Sequence, residues 1–349
     1  MTENPLTGER AARAGEEEVR ASLALSLLPE PLLRDKVALV RQSGSCWQAL
    51  ARGPVSVPPA IHRKAEEERQ SCARLGLSLV PLTSPDYPAL LKEIVDPPLV
   101  LYVWGSLEPS DELSLAVVGS RRASPYGIQV GEGLTADLAS RGLAIVSGLA
   151  RGIDAVAHRA ALAAGKRTLA VLGSGLDVIY PAEHRRLAGR IARKGAVLSE
   201  LPLTSPPLAR HFPRRNRIVS GLALGTLVIE ADERSGSLIS ARHALDQGRE
   251  VFAVPGPVGS ATSRGVHRLI QDGANLVTGV DDVIEELTPE VRRGLSLQSQ
   301  EPPCQMGDSR DLELDPLAPD ERALLGLIRQ AGTIDVDTLV ELARMPPEG

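Results

Sequence analysis

Arginine and small polar residues are concentrated in short segments that directly follow runs of apolar residues. The densest segment, Ala209–Ala223, reads ARHFPRRNRIVSGLA and holds four arginines, Phe212 and Asn216 within positions 210–217. The planar guanidinium group of arginine suits phosphate, and an aromatic ring beside such groups can stack a nucleic-acid base. This composition predicts a polyanion site. A packing role is an equal alternative, in which Phe212 anchors the loop in the core and Pro213 fixes the start of a helix.

A second segment, Val117–Gly127, reads VVGSRRASPYG and has similar chemistry. Gly119 permits a close backbone turn, Ser120 can donate a hydrogen bond to an oxygen, and Arg121 and Arg122 add positive charge. The helix expected after this segment would present unpaired N–H groups to an anion. The segment does not read GxGxxG, and no acidic residue follows at the distance of a ribose anchor, so the sequence disfavours a dinucleotide site.

Three other segments at expected strand ends add glycine, serine and one aromatic residue. They are Val146–Asp154 (VSGLARGID), Val171–Pro181 (VLGSGLDVIYP, with Tyr180) and Ile229–Ala241 (IEADERSGSLISA). In the last, residues 235–237 open a helix and are expected to form a nest of backbone N–H groups that binds an anion. All these loops are expected at one edge of a sheet, where doubly wound proteins bind ligands.

The acidic residues near these loops leave two catalytic readings open. Ser147, Asp154 and His158 could form a hydrolytic triad, but an ordinary surface pair one helical turn apart is the favoured interpretation of the last two. Glu230 and Asp232 could supply a general base or bind a hydroxyl group. We favour the interpretation that these carboxylates neutralise nearby arginines.

The net charge of −5 hides a polarised chain. Residues 119–275 contain 21 Lys and Arg against 12 Asp and Glu, which gives +9. Residues 1–118 carry 12 against 16, or −4, and residues 276–349 carry 6 against 16, or −10. A basic middle between acidic ends predicts that a polyanion binds the central domain.

Apolar runs alternate with helical patterns throughout this basic middle. The expected strands are Leu115–Val118, Ala144–Ser147, Thr168–Leu172, Ala196–Ser199, Thr226–Glu230, Glu250–Val254 and Asn275–Val277. The expected helices cover residues 126–140, 153–164, 183–193, 213–222, 237–247 and 264–272. The strands are continuously apolar, which is typical of a parallel sheet covered on both faces. We therefore expect an α/β fold with an extended Rossmann-like, doubly wound, mostly parallel sheet.

The flanking regions predict smaller units. We expect residues 1–20 to be disordered and residues 21–76 to form a helical module similar to SAM or helix-hairpin-helix domains. The extended Rossmann-like domain is expected over 77–288, and its first part is two β-rich runs around a short helix, ahead of the main sheet. Residues 289–317 are polar, acidic and proline-bearing and predict a linker. Residues 318–349 predict a partial winged-helix-like domain whose few basic residues disfavour a role in reading DNA.

The remaining composition excludes several classes of protein. Cys46, Cys72 and Cys304 lie far apart and fit no metal or disulfide spacing, and the six histidines show no ligand spacing. We therefore expect no metal and no cofactor. No apolar run is long enough to span a membrane, and the polar N-terminal residues do not resemble a signal peptide. The expectation is a cytoplasmic protein with no membrane partner.

The ordered set of segments resembles the DNA-processing protein A family, DprA/Smf. The motifs are VVGSRRASPYG, VSGLARGIDAVAH, LAVLGSGLDVIYP, LSELP, FPRRNRIVSGLA, VIEADERSGSLISARHALDQGREVFAVPG and GVHRLIQDGAN, in unbroken order from about 115 to 277. The resemblance implies a non-enzymatic protein that binds incoming single-stranded DNA in natural transformation and protects it from nucleases. It also implies that the protein loads RecA recombinase onto strands coated by single-strand-binding protein, and that it forms a homodimer through the Rossmann-like core.

The motifs of this resemblance, taken with the loops, assign the expected DNA-binding residues. They are Gly119, Ser120, Arg121, Arg122, Ser147, Gly148, Phe212, Arg214, Arg215, Asn216, Arg217, Ser235 and Gly236. The dimer and RecA contacts carry no motif that can be aligned.

Two other functions remain as alternatives. The core is also similar to the fold of lysine-decarboxylase-like nucleotide phosphoribohydrolases, which place a glycine-rich loop and a glutamate near the sugar. Here the corresponding stretch contains Glu230 but lacks their PGGxGTxxE pattern, which favours binding over catalysis. The third possibility is an interaction scaffold whose acidic ends recruit partners.

Overall fold

Four helices precede the first strand of the chain. The computed structural model describes residues 5–29, 33–52 and 56–298. The four helices are α1 (Pro5–Leu27), α2 (Leu33–Ser43), α3 (Cys46–Arg52) and α4 (Pro59–Arg74). Proline at the first position of α4 suits a helix start, because its missing N–H would have no partner there. The expected disorder of residues 1–20 is wrong from Pro5 onward, where α1 begins, and the likeness of this region to SAM domains stays a prediction.

The centre of the molecule is one nine-stranded sheet. Its strands are β1 (Ser78–Pro81), β2 (Val100–Gly105), β3 (Ser114–Val118), β4 (Ala144–Ser147), β5 (Thr168–Val171), β6 (Ala196–Ser199), β7 (Gly225–Val228), β8 (Glu250–Ala253) and β9 (Asn275–Leu276). Their order in the sheet is β1-β2-β6-β5-β4-β3-β7-β8-β9. The seven strands from β6 to β9 in this order are parallel. The expected α/β fold with a mostly parallel, doubly wound sheet is confirmed.

The helices that follow the strands cover both faces of the sheet. They are α5 (Ala89–Glu93), α6 (Pro125–Ser140), α7 (Ile153–Ala163), α8 (Arg185–Lys194), α9 (His211–Gly221), α10 (Ser237–Asp246), α11 (Arg264–Gln271), α12 (Val280–Glu286) and α13 (Pro289–Gln298). Short 3₁₀ turns lie at Pro109–Glu112, Ala182–His184 and Ala261–Ser263.

Alternating residues of β3 show how the two layers form. Leu115 and Val117 pack with α6, α7, α12 and α13, whereas Ala116 and Val118 pack with α9, α10 and α11. Successive side chains of a strand point to opposite faces, so these helix groups lie on opposite sides of the sheet. Every residue of β3 is buried, which explains its uninterrupted apolar sequence.

Two antiparallel strands extend the sheet beyond β6. Tyr102 of β2 pairs with Ser199 of β6, and Val80 of β1 pairs with Leu101 of β2. The sequence predicts these two runs as a unit ahead of the main sheet, but the structure makes them part of it. A strand pattern reports burial and does not report the partner strand, so this pairing was not readable from the sequence.

The chain remains helical past the expected end of the central domain. Residues 289–298 form α13, and Leu295 is buried against the cluster that contains Leu115 and Val117. The expected linker is therefore wrong for these ten residues. The expected winged-helix-like tail at 318–349 and the rest of the linker lie outside the described residues. Among the helices that the structure describes, none has the length and apolar content to cross a bilayer.

Candidate functional site

A cleft of about 650 Å³ opens at the carboxyl ends of the parallel strands. Its walls come from the loops after β3, β4, β5 and β7 and from the first turns of α9 and α10. The cleft includes the point where the strand order reverses, between β3 and β7. Ligands of doubly wound sheets bind at such a point. The structure therefore brings the arginine-bearing loops to one place.

The loop after β3 approaches α7 closely enough to require glycine. A Cβ atom on Gly119 would lie 2.7 Å from the side chain of Ile153. The backbone N–H of Ile153 donates to the carbonyl oxygen of Ser120 at 3.1 Å. This contact fixes the loop, and the exposed side chains of Arg121 and Arg122 line the cleft from it.

Two aromatic rings and one guanidinium group form a cluster in the cleft. The Cζ atom of Arg121 lies 5.4 Å from the ring centroid of Phe212, which is cation–π distance. The rings of Phe212 and Tyr180 are 5.7 Å apart and tilted by 55°. A Cβ atom on Gly173 would lie 2.9 Å from Cδ1 of Phe212. Phe212 is thus half-buried between neighbours, and Tyr180, at 43% exposure, is the more open ring.

Arg215 forms part of the wall of the cleft and has only 4% of its surface exposed. Its Nη1 donates to the carbonyl oxygen of Gly148 at 2.6 Å and to that of Val171. Burial lowers the pKa of the Arg215 guanidinium to about 10, an effect that Asp154 opposes and Arg121 reinforces. The group therefore keeps its charge at neutral pH while it ties the ends of β4 and β5 together.

Asp154 is a carboxyl group in the same wall. Burial raises its pKa above the usual value, whereas the charge of Arg215 and the N–H of Ala150 favour the ionised form. The cleft thus combines a buried carboxylate with several cations. The sequence does not identify Asp154 as a member of this site.

The start of α10 supplies the polar wall opposite the β3 loop. The hydroxyls of Ser235 and Ser237 are 2.7 Å apart, and Nδ2 of Asn216 donates to the carbonyl oxygen of Gly236 at 3.2 Å. Arg234 is exposed at the end of this loop and lines the cleft. Arg234 is not among the site residues expected from the sequence, because residues 235–237 predict only a nest of backbone N–H groups. Its position next to Ser235 was the available signal.

Three of the thirteen expected site residues do not line the cleft. Ser147 is fully buried and donates to the carbonyl oxygen of Val117 at 2.6 Å. Arg217 is buried, and its guanidinium group binds Glu200 at 2.7 Å and Asp96 at 2.9 Å. Arg214 approaches Glu200 at 3.5 Å. The other ten residues named from the sequence line the cleft.

The interpretation of Asp154 and His158 as a surface pair is wrong, because both side chains are buried. Nδ1 of His158 lies 2.7 Å from the hydroxyl of Thr168, and that hydroxyl donates to the carbonyl oxygen of Ile145. The Thr168 oxygen therefore accepts a hydrogen bond from the Nδ1–H group of the imidazole. Since Ser147 bonds to a backbone carbonyl elsewhere, the three residues do not form a triad.

The interpretation of Glu230 as a partner of arginines is also wrong. Its carboxylate accepts hydrogen bonds from the backbone N–H of Ser124 at 2.9 Å, the hydroxyl of Ser124 at 2.6 Å and the hydroxyl of Thr262 at 2.9 Å. Glu230 thereby joins the end of β7 to the start of α6 and to the Ala261–Ser263 turn. The neighbouring Asp232 accepts from the backbone N–H of Arg234 at 3.2 Å and lines the cleft.

Comparison with known proteins gives the family. The family model described as DNA recombination-mediator protein A matches residues 78–288, which include all nine strands and the whole cleft. The chain belongs to this family. The resemblance read from the motifs is confirmed.

Named relatives of the mediator family match the same region. The chain is 53% identical over 210 residues to Protein Smf of Escherichia coli, which covers 60% of this chain and 56% of that protein. It is 44% identical over 213 residues to the DNA processing protein DprA of Bacillus subtilis, with 61% and 72% covered. The chain thus aligns with just over half the length of the E. coli protein.

Two solved structures of the family share the fold. The X-ray structure of DprA from Streptococcus pneumoniae matches with a TM-score of 0.66 and 38% identity, covering 76% of this chain and 96% of that one. DprA from Helicobacter pylori, solved in a study of its single-stranded DNA binding mode, matches with a TM-score of 0.54 and 32% identity, covering 60% and 94%. In the described part of this mediator-family chain, no three histidine, cysteine or carboxylate groups are placed to hold a metal ion.

Proposed function

We propose that the cleft binds single-stranded DNA and carries out no chemistry on it. The observation that carries this proposal is the convergence of three exposed arginines and two aromatic rings in one cleft of about 650 Å³. The arginines are Arg121, Arg122 and Arg234. Cations that follow the phosphates and rings that stack bases are the usual pairing for single strands. The Helicobacter pylori relative, which was solved in a study of its single-stranded DNA binding mode, supports this choice of ligand.

Within this proposal, each residue of the cleft has its own role in binding the strand. Arg121 binds a phosphate and is held over Phe212, Arg122 and Arg234 bind phosphates on either side, and the open ring of Tyr180 stacks a base. The N-terminus of α10 adds the positive end of its helix dipole to the phosphate contacts. Arg215 supports the wall of the cleft and does not contact the strand, because its Nη1 donates to the carbonyls of Gly148 and Val171.

Membership of the family supports a proposal for the biological setting. We propose that the protein receives incoming strands in natural transformation, protects them and loads RecA recombinase onto them in the cytoplasm. A homodimer formed through the Rossmann-like core and contact with single-strand-binding protein belong to the same proposal. The relatives from Bacillus subtilis and Streptococcus pneumoniae, both DNA processing proteins, support it.

A salt titration tests the binding proposal. We expect oligo-dT to bind more tightly than a duplex of equal length, with log K falling by about 0.7 per log unit of salt for each phosphate neutralised. The R121Q/R234Q variant should lower that slope by about 1.4. R268Q/R293Q is the matched control, because Arg268 on α11 and Arg293 on α13 are exposed and pair with Asp272 and Glu290. A wild-type protein that binds oligo-dT no better than the duplex contradicts the proposal.

The alternative of a nucleotide phosphoribohydrolase is less well supported by the geometry. Glu230, the residue that would act near the sugar, is 2% exposed, and its carboxylate accepts hydrogen bonds from Ser124 and Thr262. Incubation with AMP and CMP, followed by a search for the released base, tests this alternative. Turnover that is lost in Glu230→Gln at unchanged stability would establish it in place of the binding proposal.

A further inference from the structure

A second basic surface lies outside the cleft, on the solvent face of α8. This helix reads RRLAGRIARK and buries Leu187, Ala188 and Ile191. Its exposed face carries five cations, which are Arg185, Arg186, Arg190, Arg193 and Lys194. The chain has no acidic residue between positions 184 and 199. The positive charge of this face is therefore not balanced within its own segment.

Within the part of the chain that the structure describes, the five cations also lack ion pairs with other segments. Among the described residues, exposed arginines such as Arg141, Arg268 and Arg293 pair with carboxylates, but none of the α8 cations does. The nearest acidic residue along the chain is Glu183, and Arg151 binds it at 2.6 Å. The face is thus a cluster of positive charges that no carboxylate of the described residues neutralises.

The positions of the cations are not explained by helix stability. Cations stabilise the last turn of a helix, where Arg193 and Lys194 lie, but they oppose the helix dipole in the first turn. Arg185 and Arg186 occupy that first turn. A polyanion bound along the face would offset this repulsion.

The geometry of the face fits an extended polyanion. Arg186, Arg190 and Arg193 follow one another at i, i+4 and i+7, so they form one row on the helix. With a rise of 1.5 Å per residue, the row is about 10 Å long. In the chain, α8 connects β5 to β6, and these two strands are parallel. The helix therefore runs from the cleft edge of the sheet toward the opposite edge.

The start of α8 is joined to the rim of the cleft. Tyr180 lines the cleft, and only the Ala182–His184 turn separates it from the helix. Nδ1 of the buried His184 contacts the carbonyl oxygen of Leu149 at 2.9 Å, beside the cleft residue Ala150. A strand that leaves the cleft past the ring of Tyr180 meets α8 next.

We propose that the basic face of α8, Arg185–Lys194, is a second binding surface for single-stranded DNA and carries the strand away from the cleft. The inference rests on the proposed function of the cleft, which fixes the ligand as a single strand. The α8 face supplies phosphate contacts, because the helix itself carries no aromatic side chain to stack a base. Its contribution therefore depends on strand length and salt and is independent of base sequence.

The test compares two strand lengths with one triple variant. R186Q/R190Q/R193Q keeps the helix, since glutamine is a good helix former and all three sites are exposed. Oligo-dT of about 6 nucleotides should bind the variant and the wild type alike, because it fills the cleft alone. For oligo-dT of about 20 nucleotides the salt slope of the variant should be smaller by about 2, so that each tenfold drop in salt widens the affinity gap about 100-fold.

A charge-matched control separates the face from the net charge. R141Q/R268Q/R293Q removes three exposed arginines from α6, α11 and α13, and should keep the wild-type slope with the long strand. If the α8 variant binds the long strand with the wild-type slope, or loses only duplex binding, the inference is overturned while the cleft proposal stands. If the wild type binds neither strand, the cleft proposal fails first.

Discussion

The guanidinium group of Arg121 lies over the ring of Phe212, with Cζ 5.4 Å from the ring centroid. Arg121 lies in the loop after β3 and Phe212 lies in the first turn of α9, 91 positions further along the chain. The two residues meet because β3 and β6 end at the same edge of the sheet. The ring occupies the space under the charged group, so the arginine is oriented before any ligand arrives. In the proposed complex with single-stranded DNA, the ring of Phe212 acts on a phosphate through Arg121.

A double-mutant cycle tests this relationship. We expect Arg121→Ala to weaken oligo-dT binding and to lower the salt slope by about 0.7. Phe212→Leu should weaken binding in the wild-type background but add little to Arg121→Ala, with a coupling of about 0.5–1 kcal/mol. Fluorescence anisotropy with labelled oligo-dT measures all four proteins. Strictly additive effects would mean that Phe212 contacts the strand independently of Arg121.

Unlike substitution of the neighbouring cleft residues, substitution of Arg217 should lower the stability of the fold and leave strand binding unchanged. Arg217→Met should destabilise the fold by about 3 kcal/mol, because the largely buried Glu200 then keeps only its 3.5 Å contact with Arg214. Urea denaturation measures the loss. The folded variant should bind oligo-dT like the wild type, since the Arg217 side chain faces Glu200 and Asp96 and does not line the cleft. A variant of normal stability and reduced oligo-dT affinity contradicts this assignment.

The contrast between Arg215 and Arg217 shows that the sequence does not predict where each arginine side chain lies. Both belong to one arginine-rich motif, and nothing in the motif separates a cleft residue from a buried ion pair. Asp96, which binds Arg217, is 121 positions away and precedes the whole parallel sheet. Long-range partners of this kind carry no periodic or spacing signal. The edge of the sheet where the site lies was predictable, but the orientation of each arginine was not.

The strands were predictable for a simple physical reason. β4 and β6 have the expected bounds, since both are buried on two faces and their sequences are continuously apolar. The position of β2 beside β6 could not be predicted, because an apolar run gives no information about its neighbour. The same limit applies to Asp154, whose carboxyl group looks like an ordinary helix surface position until α7 is packed against the sheet.

His158 should make the stability depend on pH. Burial lowers the pKa of its imidazole to about 3, so the folded protein keeps it neutral while the unfolded chain binds a proton below about pH 6.5. The unfolded state then binds more protons between these values, and the free energy of unfolding falls as the pH falls. At pH 5 the loss attributable to His158 should be about 2 kcal/mol relative to pH 7.5.

The comparison of two variants isolates this effect. His158→Asn should flatten the pH dependence of unfolding in urea between about pH 5 and pH 7. His62→Asn is the control, because His62 is exposed on α4 and should leave the pH dependence unchanged. If His158→Asn keeps the full wild-type slope, the imidazole is not the group that titrates.

Asp154 should make strand binding depend on pH in the opposite sense. Burial raises the pKa of this carboxyl group, so it takes up a proton at a higher pH than an ordinary aspartate and removes a negative charge from the cleft wall. Affinity for oligo-dT should therefore rise as the pH falls toward that pKa. Thymine is the suitable base because it does not titrate in this range.

The charge can be removed directly in Asp154→Asn, whose side-chain oxygen can still accept from the N–H of Ala150. At neutral pH we expect this variant to bind oligo-dT roughly tenfold more tightly, through about 1.4 kcal/mol of relieved repulsion of phosphate. Its affinity should also vary less with pH than that of the wild type. Asp86→Asn, at an exposed position in the chain between β1 and α5, should leave both the affinity and its pH dependence as they are. Weaker binding in Asp154→Asn would instead mean that the ionised carboxylate is needed to position Arg215 in the wall of the cleft.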